Sequence, residues 1–262
     1  EAASRALFAQ LAAEDENIGR VQRRLLLLAA RHAGTLAVGG AGRGRPWLNV
    51  GHTGLDTPGL AEWCRQAAVR PVLLVHDLIP ITHPQFCRVG EDARHRQRMA
   101  TVLNIADGLI ANSRHTLETM AGHAHSLGHS LPPALVAWPG TERPGTPPLP
   151  FPPRPHAGSA SRANADFIIL GTIEGRKNHM LLLDVWDRLW RALGPAAPRL
   201  VIIGRRGWAC DDVLARLDAG GFGSRVVETG ALSDDDIAKA LAGARALLFP
   251  SFAEGYGLPL VE

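Results

Sequence analysis

Pro250-Ser251-Phe252-Ala253-Glu254-Gly255-Tyr256-Gly257-Leu258-Pro259-Leu260-Val261-Glu262 closes the sequence and decides how the rest is read. It follows the run Ala246 to Phe249, whose continuous apolar character fits a buried parallel strand. Seven residues separate Glu254 from Glu262. Between them, Gly255 and Gly257 permit backbone conformations closed to other residues and let a ligand come close. Pro259 suits the first turn of a helix. The stretch is expected to be strand, glycine-rich turn and helix start, with one carboxylate on the turn and one about a helical turn in. Ionised carboxylates so placed accept hydrogen bonds from several sugar hydroxyls. The plainer alternative is an ordinary strand–helix turn, with Glu254 solvated and Glu262 answering the helix dipole.

Upstream, residues 166–249 alternate strands and helices. Phe167 to Gly171 reads as a strand, Thr172 to His179 as its turn, and Leu182, Val185, Trp186, Leu189 and Leu193 recur at helical spacing. Leu200 to Ile203 is the next strand, and Val226-Val227 a short one. Ser233-Asp234-Asp235-Asp236 forms a variant capping box with Asp in place of Glu. Arg176 and Lys177 fall where this turn enters a helix, an end that favours anions rather than cations. Backbone N–H groups, a guanidinium and an ammonium together suit a diphosphate. Arg205, Gly207 and Trp208 end the next strand on the same rim. They are candidates for a nucleobase pocket, against the reading of a surface arginine and a core tryptophan. Glu174 reads as a solvated turn residue.

The first half repeats the pattern. Residues 1–33 read as helical, Leu36 to Val38 and Trp47 to Val50 as strands, and Gly39 to Gly44 as a turn rather than a phosphate loop. A helix is expected from about Gly59 to Ala68. Pro71 to Pro80 is the clearest strand here, and its apolar residues end in His76-Asp77. His52, bracketed by Gly51 and Gly54, also lies at a strand's carboxyl end, where open α/β sheets bind ligands. Asp77 is expected to support His76 rather than act directly. Arg88, Arg94, His95, Arg96 and Arg98 read as a solvated helix face, or as a patch for a lipid phosphate. Leu109 to Ala111 is a strand, Asn112-Ser113 a helix cap, and Ala134 to Trp138 another strand. Prolines crowd residues 139–165 and forbid regular pairing. The expected organisation is therefore a Rossmann-like domain over 1–140, a linker over 141–165 and a second Rossmann-like domain over 166–262. Parallel sheets carry helices on both faces. Their strand ends bring His52, His76, Arg176, Lys177, Glu254 and Glu262 to one cleft.

The E-x7-E spacing with its Gly-Tyr-Gly-Leu-Pro interior resembles the signature of retaining GT-B glycosyltransferases, especially family 4. His76-Asp77-Leu78-Ile79-Pro80, Asn49-Val50-Gly51-His52-Thr53-Gly54-Leu55 and Gly171-Thr172-Ile173-Glu174-Gly175-Arg176-Lys177-Asn178-His179 are similar to three further motifs of that group. The resemblance covers roughly residues 47–262. It implies transfer of a sugar from a nucleotide diphosphate to an acceptor hydroxyl, with retention and without a metal or other cofactor. It gives Glu254 and His76 to the donor sugar, Glu262 to the ribose, and Arg176 and Lys177 to the leaving diphosphate. Gly255, Tyr256, Gly257 and Arg205 join the donor side, and His52 and Asp77 the acceptor side. Family members space the Arg and Lys several residues apart, whereas here they adjoin. Mannose from a GDP donor, a glycan or lipid-linked glycan acceptor, and a place in surface polysaccharide or lipopolysaccharide synthesis are family-level expectations. So is a cytoplasmic location with peripheral contact at the inner face of the membrane.

Composition agrees with this and excludes other classes. With 262 residues and 46% hydrophobic content there is ample core. A net charge of +3 suits an anionic ligand and is too small for a nucleic-acid binder. Cys64, Cys87 and Cys210 are scattered and give neither a disulfide framework nor a zinc site. No apolar run reaches transmembrane length. The sequence begins at Glu1 and stops at the last Glu of its best motif, so it is expected to be part of a longer chain. Two rivals are a sugar-nucleotide epimerase on the same fold and a non-catalytic nucleotide-sugar-binding protein. A dinucleotide-binding oxidoreductase lacks its G-x-G-x-x-G. A phosphorylase would need a cofactor lysine, and only Lys177 and Lys239 are present.

Overall fold

The computed structural model describes residues 43–140 and 166–261. The helical reading of 1–33, the strand Leu36 to Val38, most of the glycine turn, the proline-rich segment 141–165 and Glu262 lie outside the described residues. The division of the chain at 141–165 falls there too.

Among the described residues, contacts group 43–47 with 58–71 in one unit, and 48–57 with 72–140 and 166–261 in another. In the first, Gly44 N–H donates to the Ala68 carbonyl at 2.9 Å and Arg70 N–H to that of Arg45 at 2.8 Å. Trp47 and Trp63 meet edge to face, with ring centroids 5.4 Å apart.

In chain order the elements of the first sheet region are β1 (Pro46–Asn49), α1 (Leu60–Ala67), β2 (Arg70–Val75), α2 (Ile79–Thr82), α3 (Glu91–Ile105), β3 (Gly108–Ala111), α4 (Arg114–Ser126) and β4 (Ala134–Val136). The sheet order is β1-β2-β3-β4. Strands β2, β3 and β4 are parallel, with Leu73 opposite Leu109 and Leu109 opposite Ala134. Leu73, Val75, Leu109 and Ala111 are fully buried, as are Met99 of α3 and Met120 of α4. Ser113 caps α4 as expected, its hydroxyl accepting from Thr116 N–H at 3.0 Å.

The second sheet contains β5 (Phe167–Leu170), β6 (Leu200–Ile203), β7 (Val226–Gly230) and β8 (Ala246–Leu247), with helices α5 (His179–Leu193), α6 (Asp211–Ala219) and α7 (Asp234–Gly243). Its order is β7-β6-β5-β8, again parallel. All four residues of β6 are buried, as a strand covered on both faces requires. Ile169, Leu200 and Ile202 pack with Leu183 and Trp186 of α5 on one face. Ile168, Val201 and Ile203 pack toward Ile237 and Leu241 of α7 on the other. Ser233 caps α7, accepting from Asp236 N–H at 3.2 Å.

Three expectations change. The helix expected from Pro259 is a single 3-10 turn, Leu258–Leu260. The strand at Val226 extends to Gly230. His95, read as part of a solvated face, is buried because α3 turns it toward β2, and its Nε2 lies 3.1 Å from the Asp77 carbonyl oxygen. Arg98 is also largely buried, between Glu91 at 2.8 Å and Asp56 at 3.6 Å. Among the described residues no helix is long and apolar enough to cross a membrane.

Candidate active site

After β5 the chain makes a 3-10 turn, Gly175–Lys177, and Asn178 then adopts a left-handed conformation (φ 57°) before α5 begins. Asn178 holds this bend to the loop after β8, donating from Nδ2 to the Pro250 carbonyl at 3.2 Å. Phe252 N–H donates to the Arg176 carbonyl at 2.8 Å, so the two loops run side by side.

Four charged side chains close on one another there. Lys177 Nζ lies 2.7 Å from Glu254 Oε1, and Arg176 Nη1 lies 2.6 Å from Glu254 Oε2. Arg176 Nη2 lies 2.7 Å from Glu174 Oε1. Lys177 is 6% exposed and Glu174 5%. Glu174 is therefore not the solvated turn residue expected. It turns inward because the guanidinium needs a second carboxylate. Burial pushes the Glu174 carboxyl up, against the pull of Arg176 and Lys177. Burial acts the same way on Glu254, but the Lys177 hydrogen bond and the Arg176 charge outweigh it and hold its carboxyl below the ordinary range. Both carboxylates thus orient the two cations at the carboxyl end of β5.

The loop after β8 also reaches the first sheet. The Gly255 carbonyl accepts from Ser113 Oγ at 2.6 Å and from Thr116 Oγ1 at 3.3 Å. Thr116 Oγ1 also lies 3.2 Å from the His76 carbonyl oxygen. A side chain on Gly255 would overlap that same oxygen, so only glycine fits between the two strand ends. Gly257, buried with φ 87°, makes the following turn.

His52, His76 and His95 stack edge to face, with centroids 5.2 Å apart for the first pair and 4.9 Å for His52 and His95. His76 N–H donates to His52 Nε2 at 3.2 Å, so that nitrogen carries no proton. Burial, then the neighbouring His95, His76 and Arg98, pushes His52 down to about 3. His76 Nε2 lies 2.7 Å from the Val50 carbonyl oxygen. Asp77 does not support the His76 ring as expected. Its carboxylate accepts from Ile79 N–H at 3.0 Å, because Ile79 opens α2 and its amide has no helical partner.

A cavity of about 540 Å³ lies beside this network, lined by Asp77, Ile79, Pro80, Phe86, Cys87, Arg88, Glu91, Thr172, Glu174, Arg176 and Trp208. It is bounded by the strand ends of both sheets, where open α/β folds take ligands. Arg88 stacks over the Trp208 ring at 4.6 Å, and Phe86 lies parallel to Phe252 with centroids 5.2 Å apart. Of the residues expected at the site, Arg176 and Asp77 line this cavity, Lys177 and Glu254 adjoin it through Arg176, and Gly255 joins Glu254 to His76. His52, His76 and Tyr256 do not line it, nor does Arg205, an exposed residue on the rim. Glu262 lies outside the described residues. Phe86, Thr172 and Glu91 are wall residues that sequence reasoning missed. The Pro84-Gln85-Phe86 segment shortly after α2 was the available signal for Phe86.

Residues 164–262 match the family model for Glycosyl transferases group 1. The chain is 28% identical over 214 residues to serotype-specific mannosyltransferase WbdA of Escherichia coli, an alignment that takes in 76% of this chain and 25% of that protein. Over 96 residues it is 38% identical to O-antigen chain mannosyltransferase B of Escherichia coli, covering 36% of this chain and 25% of that one. The chain spans a quarter of the length of these curated relatives. In fold it is similar to HepE of Anabaena, solved in complex with UDP and glucose, with a TM-score of 0.59 and 16% identity over 90% of this chain and 60% of that one. It is likewise similar to sucrose-phosphate synthase of Thermosynechococcus elongatus, with a TM-score of 0.52 and 15% identity over 76% and 48% of the two chains. Residues 164–262 are thus similar to the group 1 glycosyl transferases, and the chain has a GT-B fold with a parallel sheet in each half.

Proposed function

We propose that the protein moves a sugar from a nucleotide diphosphate donor to an acceptor hydroxyl with retention, in the synthesis of a surface polysaccharide or lipopolysaccharide. The observation that carries this reading is the pair Arg176 and Lys177, fixed at the carboxyl end of β5 by Glu254 and Glu174. Two oriented cations at one strand end match the charge that develops on a departing diphosphate. The bond from the sugar's anomeric carbon to the diphosphate breaks. A bond from that carbon to the acceptor oxygen forms on the same face, and the acceptor's proton passes to the leaving phosphate. The cations balance the diphosphate, so the reading includes no metal and no other cofactor. His76 and Glu254 hold the sugar ring, His52 and Asp77 stand on the acceptor side, and Gly255, Tyr256, Gly257, Arg205 and Glu262 on the donor side. The likeness to the two Escherichia coli mannosyltransferases supports mannose as the sugar and a glycan, free or lipid-linked, as the acceptor. A lipid-linked acceptor would place the work at the cytoplasmic face of a membrane.

The test is a thermal-shift screen against GDP, UDP, ADP and their sugar conjugates, followed by transfer assays with the donor that binds. Wild-type protein should shift with one nucleotide, and Lys177→Ala should not. A Lys177→Ala protein with full turnover would overturn the reading.

A further inference from the structure

At the amino end of the second sheet, away from the strand ends that carry Arg176 and Glu254, an arginine directly precedes each of three strands. Arg199 precedes β6, Arg225 precedes β7 and Arg245 precedes β8. The register places them in one row. Phe167 pairs with Leu200, Leu200 with Val226, and Phe167 with Ala246. The row therefore runs Arg225, Arg199, Asp166, Arg245, with roughly 4.8 Å between neighbouring strands. Only Asp166 answers the three guanidinium groups within this row. Its carboxylate takes Arg199 in a two-point pair, Nε at 2.7 Å and Nη2 at 2.5 Å. Arg225 donates from Nη2 to the Pro195 carbonyl, and its Nε is buried without a hydrogen-bond partner among the described residues. Arg245 lies over the Phe167 ring at 5.8 Å and has no carboxylate partner among the described residues. A cavity of about 210 Å³ opens at this place, lined by the three arginines, Phe167 and residues 195–198.

Three like charges along one sheet edge repel, and a buried N–H without an acceptor is costly. An oxyanion in the cavity relieves both. A tetrahedral phosphate offers oxygen acceptors in the directions that guanidinium forks present, and it balances the two charges that Asp166 leaves over. We propose that the cavity bounded by Arg199, Arg225 and Arg245 is a phosphate-binding site at the end of the sheet opposite the transfer site. Its ligand is a phosphate group, either free in solution or on the headgroup of an anionic phospholipid.

The experiment measures phosphate binding to the protein by isothermal titration with inorganic phosphate, and sedimentation with vesicles of phosphatidylglycerol or of phosphatidylcholine. Arg225→Gln and Arg245→Gln are compared with Lys177→Ala, which weakens the transfer site instead. Arg245 is exposed and makes no ion pair among the described residues, so its replacement leaves the fold intact. Circular dichroism confirms folding of both variants, and Arg225→Lys replaces Arg225→Gln if that one unfolds. The expected result is that each arginine substitution weakens one phosphate-binding component by about tenfold or more, and that the same component persists in Lys177→Ala. Sedimentation with phosphatidylglycerol alone, competed by free phosphate, identifies a lipid headgroup as the source. Titration without sedimentation identifies free phosphate. Binding that survives in Arg225→Gln and Arg245→Gln but is lost in Lys177→Ala overturns the proposal, as does the absence of binding in both arms.

Discussion

Gly255 lies so close to the carbonyl oxygen of His76 that no side chain fits at position 255. Gly255→Ala must push the loop after β8 off the first sheet and strain the two hydrogen bonds from Ser113 and Thr116. The expected cost is about 1–3 kcal/mol in chemical denaturation, typical of overpacking, together with loss of transfer. An alanine variant as stable as the parent would mean that the contact does not constrain the loop.

Glu254 carries two cations, one of them buried. Glu254→Ala leaves Lys177 without its partner and should cost roughly 3 kcal/mol, whereas Glu254→Met with Lys177→Met should recover most of that. Denaturation of the single and double variants separates the two cases. Equal losses would show that the pair contributes through packing alone.

Arg94 and Arg98 share Asp56 but differ in exposure, with side chains 55% and 11% exposed. Arg98→Ala should cost about 2–3 kcal/mol because it removes a largely buried guanidinium from between Glu91 and Asp56, while Arg94→Ala, at an exposed position, should cost less. The order of the two denaturation midpoints decides it.

Stability should fall on mild acidification. Burial, then His95, His76 and Arg98, pushes His52 down to about 3, and burial, then Lys177, pushes His179 down to about 4. Folded values below the unfolded value of about 6.5 mean that the unfolded chain binds more protons between those limits. Stability is therefore full above about pH 6.5 and is lost as pH falls toward 4. From pH 7 to pH 5 each of the two histidines should remove about 2 kcal/mol. His95 is lowered as well and adds in the same direction, while Glu174, raised by burial, opposes them in the carboxylate range. Denaturation at the two pH values measures the drop, and His179→Phe should make it smaller. His179 is the cleaner test because neither ring nitrogen has a hydrogen-bond partner among the described residues.

The sequence made the strands and their carboxyl ends legible because apolar runs and glycine turns are local signals. Leu200–Ile203 matches its expected bounds, and Ser113 and Ser233 cap where they should. The pairing of side chains was less legible. A Glu on a turn looks solvated until the guanidinium that draws Glu174 inward is known. Asp77 sits beside His76 in sequence, yet the unsatisfied amide of Ile79 claims its carboxylate. His95 falls on a helix rich in arginine, and only the placement of α3 against β2 reveals that it is buried. The arginine row before β6, β7 and β8 was invisible for the same reason, since strand order rather than chain order makes those residues neighbours.

The seat of Gly255 also has a history in time. Ser113 and Gly255 are 142 positions apart, against 77 for Lys177 and Glu254. Closing the longer loop costs only about half a kcal/mol more, so distance along the chain hardly affects the final stability. It affects when the contact can form. At a synthesis rate of about 5–20 residues per second, the His76 carbonyl and the Ser113 hydroxyl leave the ribosome on the order of ten seconds before the glycine they hold. The joint between the halves is then among the last parts of the molecule to be made, and contacts of such long range fold slowly.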